Sequence, residues 1–232
     1  MKNIKNNQNT KTMVPYVLPF ALYILLTQIP MEFPDFYPEL YSGCVIIMGL
    51  VLVFLLYRKG LFRIHYNITA GIIFGILGVI LWIFICHLNL EKHIFTYLPE
   101  WLQPSPRAAF NPFEAISSSS GQWGFIAMRI TGIAIIVPLA EELFWRGFLL
   151  RWIIASQWMD VEIGKFTLKS FLWVTFLFTL AHPEWIAAAV YCSLMNFLIY
   201  WKRDLWNCMV AHSTTNLLLS IYVIFTSTWE LW

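Results

Sequence analysis

AEELFWRGFLLRW, residues 140–152, puts two adjacent glutamates and two arginines inside one of the most apolar stretches of the chain. Whether those charges face water or lipid decides the fold, and the rest of the sequence answers. Of 232 residues, 59% are hydrophobic and 18% aromatic, only 12% are charged, and the mean hydropathy is +0.66. Soluble domains sit near about 45–50% apolar and about 25% charged. Long apolar runs recur along the whole length, separated by charges, prolines or serines. In lipid a chain must satisfy its backbone internally, so this pattern predicts an all-α, polytopic membrane protein of about seven or eight transmembrane helices.

The expected spans cover about 14–29, 41–57, 68–88, 123–141, 168–182, 184–201 and 206–226, with an extra helix of undetermined depth over 143–158. The fifth and sixth are short for a hydrocarbon core that needs about 20 helical residues, which predicts tilt or a partly re-entrant element around Pro183. Residues 1–13, MKNIKNNQNTKTM, read as a disordered tail, and 14–232 as one membrane domain with its motif region at 123–226. No small-residue cleavage site follows the first apolar stretch, so it reads as an uncleaved span. Lys2, Lys5 and Lys11 place the N-terminus in the cytoplasm, and Arg58, Lys59 and Arg63 return the chain there. Tryptophans flank many runs as an interfacial belt would, and Gly71 and Gly75 stand at the spacing of close helix packing.

Several function classes fall away. The net charge is +2 and the bases are scattered, which gives no nucleic-acid surface. Cys44, Cys86, Cys192 and Cys208 lie in apolar runs without CxxC spacing, as buried small side chains do.

What remains are polar residues in three apolar segments: Glu141, Glu142 and Arg146; Phe178 and His182; His212 and Asn216. Glu142 and Arg146 are four apart, acid first, and share a helix face as a neutralising pair. Glu141 is rotated from its neighbour by about 100° and has Trp145, not a base, four residues on. A lone carboxylate at a helix centre costs about 2.5–3.5 kcal/mol on insertion scales, so a group distant in sequence should meet it. A carboxylate, two imidazoles and an amide can activate a water and steady an oxyanion. Glu141, His182 and His212 could instead hold a divalent metal. Each histidine alone is more often a hydrogen-bonded core residue, and the Glu142–Arg146 pair alone is more often architecture.

Taken together, EELFWR, FTLAH and HSTTN resemble the E-E-x-x-x-R, F-x-x-x-H and H-x-x-x-N motifs of the CPBP family (CAAX proteases and bacteriocin-processing proteins, also called Abi), in order and complete. EELFWRGFLLRW and the ending WELW also look like a narrower group of CAAX prenyl protease-related proteins associated with PEP-CTERM/exosortase sorting. The resemblance implies an intramembrane endopeptidase acting near the end of a membrane-associated protein or peptide, in the bilayer, in a bacterial inner membrane. Glu141 would be the general base, His182 and His212 would hold the water and the scissile carbonyl, and Asn216 would stabilise the oxyanion. Glu142 and Arg146 would be the supporting pair, and Phe178 would give structural support. No resident metal or other cofactor is expected.

Two other classes compete: a non-enzymatic immunity or assembly partner on the same fold, and a proton- or ion-handling transporter, although no internal repeat is visible. A geometric difficulty also stands. With 143–158 either crossing the bilayer or not, no simple topology brings Glu141, His182 and His212 to one depth with the basic loops all inside. Kinks at Pro138 and Pro183 or a re-entrant helix would be needed.

Overall fold

The computed structural model describes residues 2–59, 64–104, 107 and 109–232, without the side chains of 2–12, 58, 59 and 92. Of the bases taken above as cytoplasmic markers, Arg63 lies outside the described residues, and Lys2, Lys5, Lys11, Arg58 and Lys59 are described by their backbone alone. Among the described residues the chain is helical, with no strand. Five helical segments are long and apolar enough to cross a bilayer by length and composition: Met13–Glu32, Pro34–Tyr57, Thr69–Leu88, Ser119–Ile154 and Leu205–Thr226. The protein is an integral, polytopic helical membrane protein.

We label the principal helices α1 (Lys2–Leu26), α2 (Tyr37–Lys59), α3 (Thr69–Leu88), α4 (Ser119–Ile154), α5 (Leu168–Leu180), α6 (Trp185–Lys202) and α7 (Leu205–Thr226). Helix α1 takes in residues 2–12, whose composition predicts a tail, and its apolar part starts at Met13.

The sequence reading is corrected at 143–158. No separate helix starts there, because α4 runs unbroken from Ser119 through the acidic pair to Ile154. The break expected at Pro138 is replaced by a change of helical register. Gly132–Ile136 and Leu143–Leu149 are π-helical, and Val137–Glu142 between them is α-helical. Proline has no N–H and its ring crowds the preceding turn, so widening that turn lets the helix pass without stopping. Near the end of α4, Arg151 Nε donates to the Gly147 carbonyl at 2.7 Å and its guanidinium stacks 4.7 Å from the Trp158 ring. The second arginine of the opening stretch is thereby satisfied inside the fold.

Helices α3 and α7 pack along a glycine stripe. A methyl group at Gly75 would sit 2.5 Å from Thr214 Cβ and 2.6 Å from the Ala211 carbonyl. At Gly71 it would meet the Asn207 carbonyl at 2.8 Å. That approach lets Thr215 Oγ1 donate to the Gly75 carbonyl at 2.9 Å and Asn207 Oδ1 accept from the Gly71 N–H at 2.9 Å. The small-residue spacing is therefore a packing device. Asp204 caps α7 by accepting from the Trp206 and Asn207 N–H groups at 3.3 and 2.9 Å, and Thr167 caps α5 by accepting from Ser170 N–H at 3.1 Å.

Candidate active site

The three motif clusters converge. A cavity of about 290 Å³ is lined by Glu141 of α4, Phe178 and His182 from the end of α5, and His212 and Asn216 of α7. Phe20 and Tyr23 of α1, Trp82 of α3, Tyr191 of α6 and Arg107 of the connection before α4 complete its wall. Glu141, His182 and His212 line one cavity, and α4 is continuous through Glu141. From Glu141 to Ile154 it descends about 20 Å, and the 13 residues of α5 climb about 20 Å back. Helix α5 is short because it has only to return the chain to the level of Glu141. It ends at Leu180, and the turn around Pro183 reverses the chain into α6.

The two glutamates divide as their positions on the helix require. Arg146 Nη1 donates to Glu142 Oε1 at 3.0 Å, with both side chains fully sealed from solvent. His212 Nδ1 lies 2.8 Å from the same Glu142 oxygen. The sequence reading supplied Arg146 as the partner of Glu142 but not His212, which lies 70 residues away. Glu141 points elsewhere. It is 5% exposed, lines the cavity, and its Oε2 has no hydrogen-bond partner among the described residues.

Hydrogen-bond partners fix the histidine tautomers. His182 Nδ1 is 2.8 Å from the Phe178 carbonyl, and a carbonyl can only accept, so Nδ1 carries the proton. A Glu142 carboxylate imposes the same tautomer on His212. Both rings in their neutral form therefore keep Nε2 as a basic, unprotonated nitrogen. Phe178 holds His182 twice, through its carbonyl and through its ring, which stacks on the imidazole at 4.3 Å and 23°. The Arg146 guanidinium lies 5.2 Å from the centroid of the same ring. One aromatic ring thus couples the buried ion pair to the first histidine.

Asn216 is where helix chemistry and site chemistry meet. In the π register, Val137 N–H bonds to the Gly132 carbonyl. Continuing that register would ask position 138 for an N–H to the Ile133 carbonyl, and Pro138 has none. Asn216 Nδ2 supplies it at 2.7 Å. One N–H of the amide is thereby committed to structure, leaving the other, because the side chain has two donors. The π stretch and α7 are locked together about two turns before Glu141.

Among the described residues, no three His, Cys, Asp or Glu side chains are gathered as metal ligands, so the chemistry below is derived from the side chains alone. Sequence reasoning missed Tyr191, Trp82, Tyr23 and Arg107. Tyr191 meets the His212 ring edge-on at 5.6 Å, and Trp82 meets His182 edge-on at 6.1 Å. Nothing in their sequence context separates them from the many other aromatics of an apolar chain.

Residues 122–218 match a family model described as Type II CAAX prenyl endopeptidase Rce1-like. The matched segment contains every residue of the three motifs. Neither the curated proteins nor the solved structures gave a match. With the motif residues of α4, α5 and α7 drawn onto one cavity, residues 122–218 of this chain are similar to the Rce1-like type II CAAX prenyl endopeptidases.

Proposed function

We propose that the protein is an intramembrane endopeptidase that hydrolyses a peptide bond near the end of a membrane-associated protein or peptide, by a water that Glu141 activates. The observation that carries this reading is the Glu141 carboxylate. It is buried, lacks a partner at Oε2, and opens onto a cavity that also receives two imidazoles. A buried carboxylate kept without a counter-charge is costly, and general-base work gives it a use.

In this mechanism a water donates one hydrogen to Glu141 and the other to a histidine Nε2. As its oxygen attacks the scissile carbonyl carbon, Glu141 takes the proton. The carbonyl oxygen becomes an oxyanion and accepts from the remaining Asn216 N–H. Collapse of the tetrahedral intermediate breaks the C–N bond, and Glu141 passes its proton to the departing amine. Glu142 orients His212 without touching the reacting atoms, and Arg146 pairs with Glu142. The bacterial inner membrane, with the N-terminus in the cytoplasm, is the setting we propose.

The test is hydrolysis in H₂¹⁸O by the purified full chain in lipid nanodiscs, with a pool of lipid-anchored peptides as substrate. One ¹⁸O atom should enter each newly formed carboxyl group with the wild type and none with Glu141→Gln. Equal cleavage by both proteins would contradict the assignment. No cleavage by either would favour a non-enzymatic partner.

A further inference from the structure

Arg107 belongs to none of the three motifs and lies outside the segment that matches the family, yet it lines the same cavity as Glu141 and His182. Among the described residues that line this cavity it is the one Arg or Lys. Arg146 is sealed behind Glu142, and Arg129 is engaged elsewhere, donating to the Tyr37 hydroxyl at 2.6 Å and stacking on the Trp232 ring at 5.0 Å.

Glu184, at the turn after His182, holds Arg107 in a particular way. Arg107 Nε donates to Glu184 Oε1 at 2.8 Å and Nη2 donates to Glu184 Oε2 at 3.1 Å. That bidentate contact uses one edge of a planar fork with five N–H donors. The edge formed by Nη1 and the second Nη2 hydrogen is not used by it, and its plane is fixed. Arg107 also borders a second cavity of about 470 Å³, which shares Pro183 and Leu231 with the first. The guanidinium therefore stands at the junction between the catalytic cavity and a wider space. Both Glu141 and Arg107 lie within electrostatic reach of the His182 ring and the Tyr23 hydroxyl.

An endopeptidase that cuts near the C-terminal end of a chain brings a free α-carboxylate close to its active site, and within an apolar wall that charge needs a partner. We propose that Arg107, clamped by Glu184, binds the C-terminal carboxylate of the substrate and so determines where on the chain the cut falls. This inference rests on the peptidase reading, taken for a cut near a C-terminal end, and adds the residue that recognises that end of the substrate. Glu184 is a positioning residue that fixes the fork, whereas Arg107 touches the substrate.

The experiment uses the full chain in nanodiscs and a pool of lipopeptides with randomised termini, made once as free acids and once as C-terminal amides. Cleavage is read for the wild type, and binding is read separately on Glu141→Gln. A charge-assisted contact contributes about 1.5–3 kcal/mol, so the acid pool should be favoured over the amide pool by about 10- to 100-fold. In Arg107→Ala that ratio should fall to near one, by loss on the acid pool alone, while Arg107→Lys should keep part of it. An arginine that served only to tie the fold together would lower acid and amide alike, and that outcome overturns the proposal. So does a wild type that treats both pools equally or binds neither. If Glu141→Gln discriminates acid from amide through Arg107 while the wild type cleaves nothing, the carboxylate site stands and the peptidase reading falls.

Discussion

At the scale of single residues, adjacent Glu141 and Glu142 have opposite energetic roles, and their variants should separate. Glu141→Gln removes an unpaired buried charge, so thermal stability in detergent should hold or rise while turnover falls by about 10²- to 10⁴-fold. Glu142→Gln leaves the Arg146 guanidinium without its counter-charge, and breaking a buried pair from one side costs about 3–5 kcal/mol. Thermal melts of the two variants, run beside the activity assay, check the division. A stable Glu142→Gln that lost only activity would contradict it. This part of the site was legible, because the i,i+4 spacing of Glu142 and Arg146 and the 100° offset of Glu141 are properties of any α-helix. The bond from Glu142 to His212 was not, since nothing local in either segment encodes a contact between α4 and α7.

At the scale of elements, Asn216 should carry two separable functions. Asn216→Ala strands the Ile133 carbonyl, which should cost about 1–3 kcal/mol of stability, and it also removes an oxyanion donor. Adding Pro138→Ala returns an N–H to the helix beside that carbonyl. The double variant should therefore recover stability without recovering activity, a pattern that a melt and a rate together would show. Recovery of both would mean that Asn216 acts only as a structural tie. The seam between α3 and α7 gives a second test. A methyl group at Gly75 collides with Thr214 and Ala211, whereas one at Gly43 meets nothing within 4 Å. Gly75→Ala should destabilise by about 1–3 kcal/mol through overpacking, and Gly43→Ala should be neutral or slightly stabilising. The positions and apolar character of most helices could be read from the sequence. The π stretches could not, because a register change leaves composition and hydropathy untouched and depends on Pro138 meeting an amide from another helix.

At the scale of the whole molecule, the unbroken α4 organises the site. It carries Glu141 to the level reached by the short α5 from the other direction, and α7 brings His212 and Asn216 alongside. Spin labels at Ser119 and Ile154 should lie about 50 Å apart if the helix is continuous and nearly straight. A hairpin or a break near Glu142, which is the separate helix first expected over 143–158, would give a much shorter distance. Charge counting could not settle this, since it fixes the sides on which loops lie and not the depth at which helices stop. Arg107 was equally opaque, being a single base in a proline-rich connection whose meaning comes only from the cavity it faces. The most direct test of the central claim compares peptide termini in the membrane proteome of cells carrying the wild type or Glu141→Gln at matched abundance. We predict termini present only with the wild type, close to the C-terminal ends of membrane-associated proteins. Identical sets of termini from well-expressed proteins would contradict the peptidase and leave the fold to a non-enzymatic role.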